Sequence, residues 1–552
     1  MRGPGVGRML RTVRHIRPRQ ALAQLRHMLA GPVAPVGLAG PPPELSASSP
    51  VAPFLPAPRH AGYDGRGRIC LLAREVEFRG GIDWDFGGEG PLFAYHLHQF
   101  DHLRRPVLAP QVRAEVLLDW IDTHPSGVGW DPHPLCLRIL SWGKLLLTPG
   151  ALTLDARAEE RVRASLACQI ETLSRNLEVR LQANHLLSNL LGVVFGGLLF
   201  NGSRADTWLR FESALRRELS RQVGPDGGHE ERSPMYHSLI LENLLDLLNL
   251  ARTVGDRTPA PLVVELEECA ARMLGALRVW THPDGEIALF GDSAFGMAHP
   301  PAALAEYAAA LRVRARGPEC QGVLADCGYV RLEGGPFRLM ASVSGPAPAH
   351  QPGHAHCDAL AFELSVGSRR IVTDTGVSEY IPGALRDAAR TTRAHATLEV
   401  AGHEQAETWQ AHRIGGRPRV DLCRVDPGRD AEATCAGWAT PDTLHRRRFS
   451  LVGDAVVVCD RLEGRPRPVR FALPLAPGLQ PRLEHAGDGA SRLTIPLDEG
   501  GSLRISLPGG EEIRWRVERT LYFPEFGRHQ ERPCLVGTAD GFREGLWRFE
   551  LV

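Results

Sequence analysis

Leu262-Val-Val-Glu-Leu-Glu-Glu-Cys-Ala-Ala-Arg-Met-Leu-Gly-Ala-Leu-Arg-Val-Trp280 carries its apolar residues three or four apart. Fifty residues later Gly328-Tyr-Val-Arg-Leu332 and Phe337-Arg-Leu-Met-Ala-Ser-Val343 are short runs with turn residues between them. The first period belongs to an amphipathic helix and the second to strands, so the chain changes structural class near Cys320. Upstream, helical spacing recurs in Arg161–Leu177 (Val162, Leu166, Ile170, Leu173, Leu177), Trp208–Val223 and Ser238–Leu250. Downstream, Ala359–Val366, Arg370–Thr373, Ala396–Val400, Ala455–Cys459, Arg470–Leu475 and Arg492–Ile495 read as short strands of an antiparallel, sandwich-type domain. The order is all-α followed by all-β. Expected boundaries are 61–317 for the helical domain and 318–552 for the β domain, after a segment at 1–60.

That first segment has two parts. Met1 to Ala30 holds Arg2, Arg8, Arg11, Arg14, Arg17, Arg19 and Arg26 without one acidic residue, and Leu10, Val13, Ile16, Leu22, Leu25 and Leu29 recur at roughly helical spacing. This pattern suits either a helix lying on a membrane surface or targeting segment, or a helix docked on the main domain. Gly31 to Pro58, rich in Pro, Ala, Gly and Ser, reads as a linker that packs no core.

The chain of 552 residues exceeds what one core usually supports, and its 43% hydrophobic and 23% charged residues are those of an ordinary globular protein. Sixty-four basic residues balance sixty-four acidic ones, which excludes a global field for nucleic acid and makes any attraction to a polyanion local. Eleven scattered cysteines, an odd number with no Cys-x-x-Cys, argue against a disulfide scaffold or zinc ribbon. No stretch approaches the ~20 apolar residues of a membrane span. The N-terminus lacks a secretory apolar region, so a cytoplasmic or membrane-peripheral placement is favoured over a periplasmic one, which stays open.

Three constellations carry chemistry. Gln182-Ala-Asn-His-Leu-Leu-Ser-Asn189 sets an amide and an imidazole at the start of the very apolar Leu190–Phe200. Such a pair binds a carboxylate, or serves only as a helix-end hydrogen-bonding device. Asp226-Gly-Gly-His-Glu-Glu-Arg-Ser-Pro-Met-Tyr-His237 opens the next helix. Ser233 and Pro234 suit the N-cap and first turn, and Tyr236 sits where the helix dipole favours a phenolate. His350-Gln-Pro-Gly-His-Ala-His-Cys-Asp-Ala-Leu-Ala-Phe-Glu363, read as a strand, turns His354, His356 and Asp358 to one face. With Asp374 and His395 from neighbouring strands, His356 either completes a Zn²⁺ site or joins a hydrogen-bonded cluster; spacing does not separate the two.

Together, Asn-His-Leu-Leu, Asp-Gly-Gly-His-x-Glu-Arg-Ser-Pro-x-Tyr-His, and His-x-His-x-Asp-Ala-Leu followed by Thr-Asp-Thr-Gly and Arg-Ala-His resemble the heparinase II/III family and related alginate lyases, over roughly 61–552. The resemblance implies an incomplete (α/α) toroid, an antiparallel β-sandwich and a cleft between them. It implies β-elimination on an acidic, uronate-containing polysaccharide. Asn184, assisted by His185, would neutralise the substrate carboxylate, Tyr236 would protonate the leaving oxygen and in such enzymes often also acts as the base, and His354 would be the second proton-transfer residue. His356, Asp374 and His395 would hold a divalent metal, Zn²⁺ by donor type, in a structural role. Ser188 and Asn189 stand where relatives often carry an acid, which implies different substrate subsites. Near these motifs, His229, Glu231, Arg232 and Arg393 are candidate substrate contacts; Arg232, Arg390 and Arg393 either make bidentate hydrogen bonds to carboxylates or sulfates or serve as structural partners of Asp226, Glu231 or Asp387. The expected partner is an anionic polysaccharide, with peripheral membrane contact through the N-terminal segment. Two other readings stay open: a polysaccharide-binding or assembly protein without turnover, and a glycoside hydrolase using Asp226, Glu230 or Glu231.

Overall fold

Proline at the first helical positions starts the helices Pro110–Thr123, Pro132–Leu147 and Pro234–Val254, where its missing N–H is no loss and its fixed φ suits the turn. With Ala156–Arg175, Ala183–Leu199 and Ala260–Val279 they build the helical half. The helix Ala183–Leu199 is buried from Asn184 through Leu199 except at His185, which explains why it reads as apolar on every side. The computed structural model describes residues 5–31, 33–38, 40–47, 49–485, 490–497, 501–509 and 513–552, so Arg2 of the first segment lies outside them.

Among the described residues the β half has three larger antiparallel sheets and a two-stranded one, Thr408–Trp409 with Arg413–Ile414. Val323–Leu324, Tyr329–Gly334, Phe337–Ser342, Phe362–Val366 and Arg369–Val372 form one in chain order. An eight-stranded sheet runs from Arg419–Asp426 to Arg482–His485 with Glu544–Leu551 at its centre, and a four-stranded sheet joins Leu398–Val400 and Val469–Pro474 to Gln530–Ala539 and Arg514–Tyr522. Phe362 of the first sheet meets Phe449 and Phe549 of the second, and Phe471 of the third meets Trp547 of the second, so the sheets share one aromatic core.

Hydrogen bonds seam the halves together. Asp226 accepts from Cys327 N at 2.8 Å, Arg232 O accepts from the Tyr329 hydroxyl at 2.8 Å, and Glu363 accepts from Leu289 N at 2.7 Å. Gly227 has φ +83°, and a Cβ there would stand 2.2 Å from Arg272 O, so the tight approach requires glycine.

Four expectations are corrected. The stretch 31–58 does pack on the helical core: Leu38, Leu45, Phe54 and Leu55 lie against it, Ala52 is buried, and Ser46 N donates to Leu199 O at 2.8 Å. The stretch 208–223 is two helices, Ser203–Leu209 and Glu212–Gln222. The arginine-rich segment is also two helices, Val6–Val13 and Pro18–Ala30, with the second beginning at Pro18. A three-stranded sheet, Ala61–Tyr63, Arg68–Leu71 and Arg74–Glu77, precedes the long helices.

Candidate functional site

Ser233 caps the helix Pro234–Val254 by accepting from Tyr236 N at 3.2 Å, as its place before Pro234 predicts. The cap fixes Tyr236 in the first turn. Its ring stacks on His354, centroids 4.0 Å apart, and its hydroxyl lies 2.9 Å from that of Tyr380. Burial pushes the phenol well above its usual range and outweighs the Tyr380 hydrogen bond, which lowers it. The expected dipole-stabilised phenolate therefore gives way to a protonated hydroxyl.

His354 sits in an irregular loop and not on a strand, and so does His356. Both nevertheless face one carboxylate. His354 Nδ1 lies 2.9 Å from Asp292 Oδ2 and His356 Nε2 lies 2.8 Å from Asp292 Oδ1. Arg386 grips the same carboxylate through both terminal nitrogens. Burial opposes the charge on Asp292, but Arg386 and the two histidine hydrogen bonds hold it well below the usual carboxylate range. With Nδ1–H donated to this anion, Nε2 of His354 is left as an acceptor, 3.3 Å from Asn184 Nδ2.

Asn184 also donates from Nδ2 to Glu231 Oε2 at 2.6 Å and from its backbone to Glu231 Oε1 at 3.2 Å. Burial raises Glu231, yet its net shift is downward, and the two hydrogen bonds from Asn184 contribute to it. His185 lies 3.1 Å from Glu178. Burial lowers the imidazole and Glu178 raises it, with a net shift upward that favours the imidazolium. A cavity of about 110 Å³ opens beside Asn184, Tyr236 and Tyr380, with His133 and Lys144 also on its wall.

The structure thus brings Asn184, Glu231, Tyr236 and His354 together. His229 is fully buried beside Gln222, and Arg232, at φ +57°, donates to Gly345 O at 2.7 Å and Asp326 O at 3.2 Å. Arg393 pairs with Glu399 at the surface. Asp292, Arg386 and Tyr380 carry no motif; Gly291-Asp-Ser293 looks like an ordinary turn.

His356, Asp374 and His395 converge as a second cluster, their donor atoms within 4.8 Å of one another and all three buried. His395 Nδ1 lies 2.9 Å from Asp374, while His356 Nδ1 and His395 Nε2 are buried without a partner. Two orphaned imidazole nitrogens beside a carboxylate fit a divalent cation.

Residues 165–312 match the model of the heparinase II/III N-terminus and residues 316–539 that of the heparinase II/III-like C-terminal domain. FtsZ-localized protein C of Caulobacter vibrioides is 28% identical over 404 residues, 70% of this chain and 66% of that protein. A heparin-sulfate lyase of Pedobacter heparinus is 28% identical over 239 residues, 39% of this chain and 36% of that one. The chain therefore spans less than two thirds of either relative. Among solved structures, a heparinase III superposes with a TM-score of 0.67 at 16% identity, covering 86% of this chain and 80% of that one. A mutant heparan sulfate lyase from Pedobacter heparinus gives 0.61 at 19% identity, covering 89% and 81%. These likenesses show the fold.

Proposed function

Because the chain belongs to the heparinase II/III family, we propose that it is a polysaccharide lyase that cleaves an acidic, uronate-containing chain by β-elimination. The observation that carries this reading is the convergence of Tyr236, His354 and Asn184: the His354 ring stacks on Tyr236 and faces Asn184 Nδ2, and Tyr236 and Asn184 line one cavity.

The C5 proton of a uronate is weakly acidic because the adjacent carboxylate is already negative. Asn184 keeps one Nδ2 hydrogen on Glu231 and turns the other, which faces His354 Nε2 at rest, to that carboxylate, and the imidazolium of His185 adds positive charge. Glu231 positions the amide. His354 Nε2 takes the C5 proton; its electron pair becomes the C4=C5 double bond as the C4–O bond breaks. Tyr236, protonated at rest, gives its proton to the departing oxygen. Asp292 holds His354 in the required tautomer. His356, Asp374 and His395 would hold a divalent cation, Zn²⁺ by donor type, which braces the loop carrying His354. No water nucleophile enters, unlike a hydrolase with two carboxylates across the bond. Asp226 is occupied by Gly228 N and Cys327 N, which leaves it no role as an acid.

The relative named for its localisation with FtsZ, and for no reaction, favours one second reading: a protein that keeps the cleft, binds the polysaccharide and does not turn it over. Tyr236→Phe separates the two. In a lyase it abolishes cleavage and leaves polysaccharide binding nearly intact, and His354→Ala costs on the order of 10²-fold or more. A Tyr236→Phe rate within a factor of a few of wild type removes Tyr236 from the chemistry. Binding by the wild type with no new chain ends establishes the second reading.

A further inference from the structure

Val6, Met9, Leu10 and Val13 lie three or four residues apart on the first helix, which buries no residue at all. Leu22, Leu25, Met28 and Leu29 form a second apolar row on the next helix. Their exposures run from 45% at Val13 to 80% at Leu29. Eight of the eighteen exposed large apolar side chains among the described residues fall on these two short helices, so the exposure is concentrated and not the scatter of an ordinary surface.

The opposite side of the arm is firmly held. Arg8 and Arg11 pair with Glu407, Trp409 Nε1 donates to Thr12 Oγ1 at 3.2 Å, and Arg11 lies over the Trp438 ring. Arg17 donates to Gln182 Oε1 at 3.0 Å, and Gln20 donates to both Leu181 O and His350 O. The arm therefore bridges the helical and β halves next to the segment that carries Asn184. Its docked side is polar and its free side apolar, the reverse of a helix added to complete a core.

Charge identifies the occupant of the free side. Residues 1–30 hold seven arginines and no acid in a chain whose overall charge is zero. Arg19 and Arg26 are exposed and make no ion pair among the described residues. An apolar row beside uncompensated arginines complements an anionic lipid surface, with apolar side chains at the acyl boundary and guanidinium groups among the phosphates. Among the described residues no helix is long and apolar enough to cross a membrane, so the contact is peripheral. We infer that the two N-terminal helices dock this protein on an anionic bilayer, which places the rim of the cleft at Leu181 and His350 near the membrane surface. The inference stands whether or not the cleft turns polysaccharide over.

The test is flotation of the full chain with phosphatidylcholine vesicles containing about a third phosphatidylglycerol, against phosphatidylcholine alone. The protein should float with the anionic vesicles only, and high salt should release it. Leu25→Glu with Leu29→Glu should weaken flotation about tenfold or more without changing the melting temperature, because both side chains are exposed. Arg19→Glu with Arg26→Glu should do the same. No flotation, or variants that float like the wild type, overturns the inference. So does a dimer in light scattering that Leu25→Glu with Leu29→Glu dissociates while vesicle binding is absent; that result makes the rows a contact between two copies.

Discussion

Tyr236 and His354 stack at 4.0 Å, and the proposed mechanism gives them opposite proton roles that their surroundings favour. Burial keeps the phenol protonated, while Asp292 takes Nδ1–H of the imidazole and leaves Nε2 free to accept. In the proposed mechanism Asp292 is the positioning residue on which the base depends. Asp292→Asn would leave Arg386 buried without its anion, a loss of about 3–5 kcal/mol, and would free His354 to turn. Steady-state kinetics with melting should show kcat falling on the order of 10²-fold, KM nearly unchanged and a lower melting temperature. A kcat near wild type contradicts the role given to Asp292. Tyr380→Phe removes one hydrogen bond to the acid and should lower kcat by up to about tenfold without loss of fold. That Asn184, Tyr236 and His354 meet was legible in the sequence because each lies in a dense polar motif, and the three motifs together resemble one family. Asp292, Arg386 and Tyr380 were not, since they come from separate segments and only the folded seam decides which carboxylate a histidine faces. The phenolate expectation failed for a related reason: sequence reveals the helix end, but burial outweighs its dipole.

At the scale of elements, the helix end at Ser233 joins fold to site. Its hydroxyl accepts from Tyr236 N and donates to Asp292 O at 2.8 Å, so one residue aligns the Tyr236 helix with the segment that anchors His354. Ser233→Ala should cost about 1–2 kcal/mol, measurable by chemical denaturation. In the β half, Asp460 accepts from Arg447, His445 and the Trp547 indole in a fully buried cluster. Burial opposes its charge, but Arg447 and His445 hold it well below the usual carboxylate range. A depressed carboxylate stabilises the fold fully above its unfolded value of about 3.9, and that contribution is lost as pH falls below it. Melting followed from neutrality downward should drop steeply below about pH 4, and Asp460→Asn should flatten this slope while lowering stability at pH 7. Helices and strands were legible because periods of 3.6 and 2 survive in the sequence, as in 262–280 and 337–343. The packed stretch 31–58 was not, because a few apolar residues among Pro and Gly show no period. The loop carrying His354 was misread because alternation also occurs by chance in short polar runs.

For the whole molecule, the Asp226, Arg232 and Glu363 hydrogen bonds and the N-terminal arm tie the halves together, and the cluster of His356, Asp374 and His395 lies within the β half. If a divalent cation occupies that cluster, protein purified without chelator should contain about one equivalent, and chelation or His356→Ala should lower the melting temperature. Substoichiometric metal with unchanged melting leaves the three as a hydrogen-bonded cluster. The two-domain order was legible from the change of period near Cys320; the arm that ties residues 8–20 to Glu407 and His350 was not, because those contacts span more than 300 positions. The central claim is elimination at a uronate. It is tested most directly by incubating the purified chain with heparan-like, alginate-like and capsular polysaccharides while following ultraviolet absorbance and new reducing ends together. The account predicts that both rise in step on at least one uronate polymer, as each cleavage creates a C4=C5 double bond. Reducing ends without absorbance, or turnover confined to neutral glycans, would contradict it.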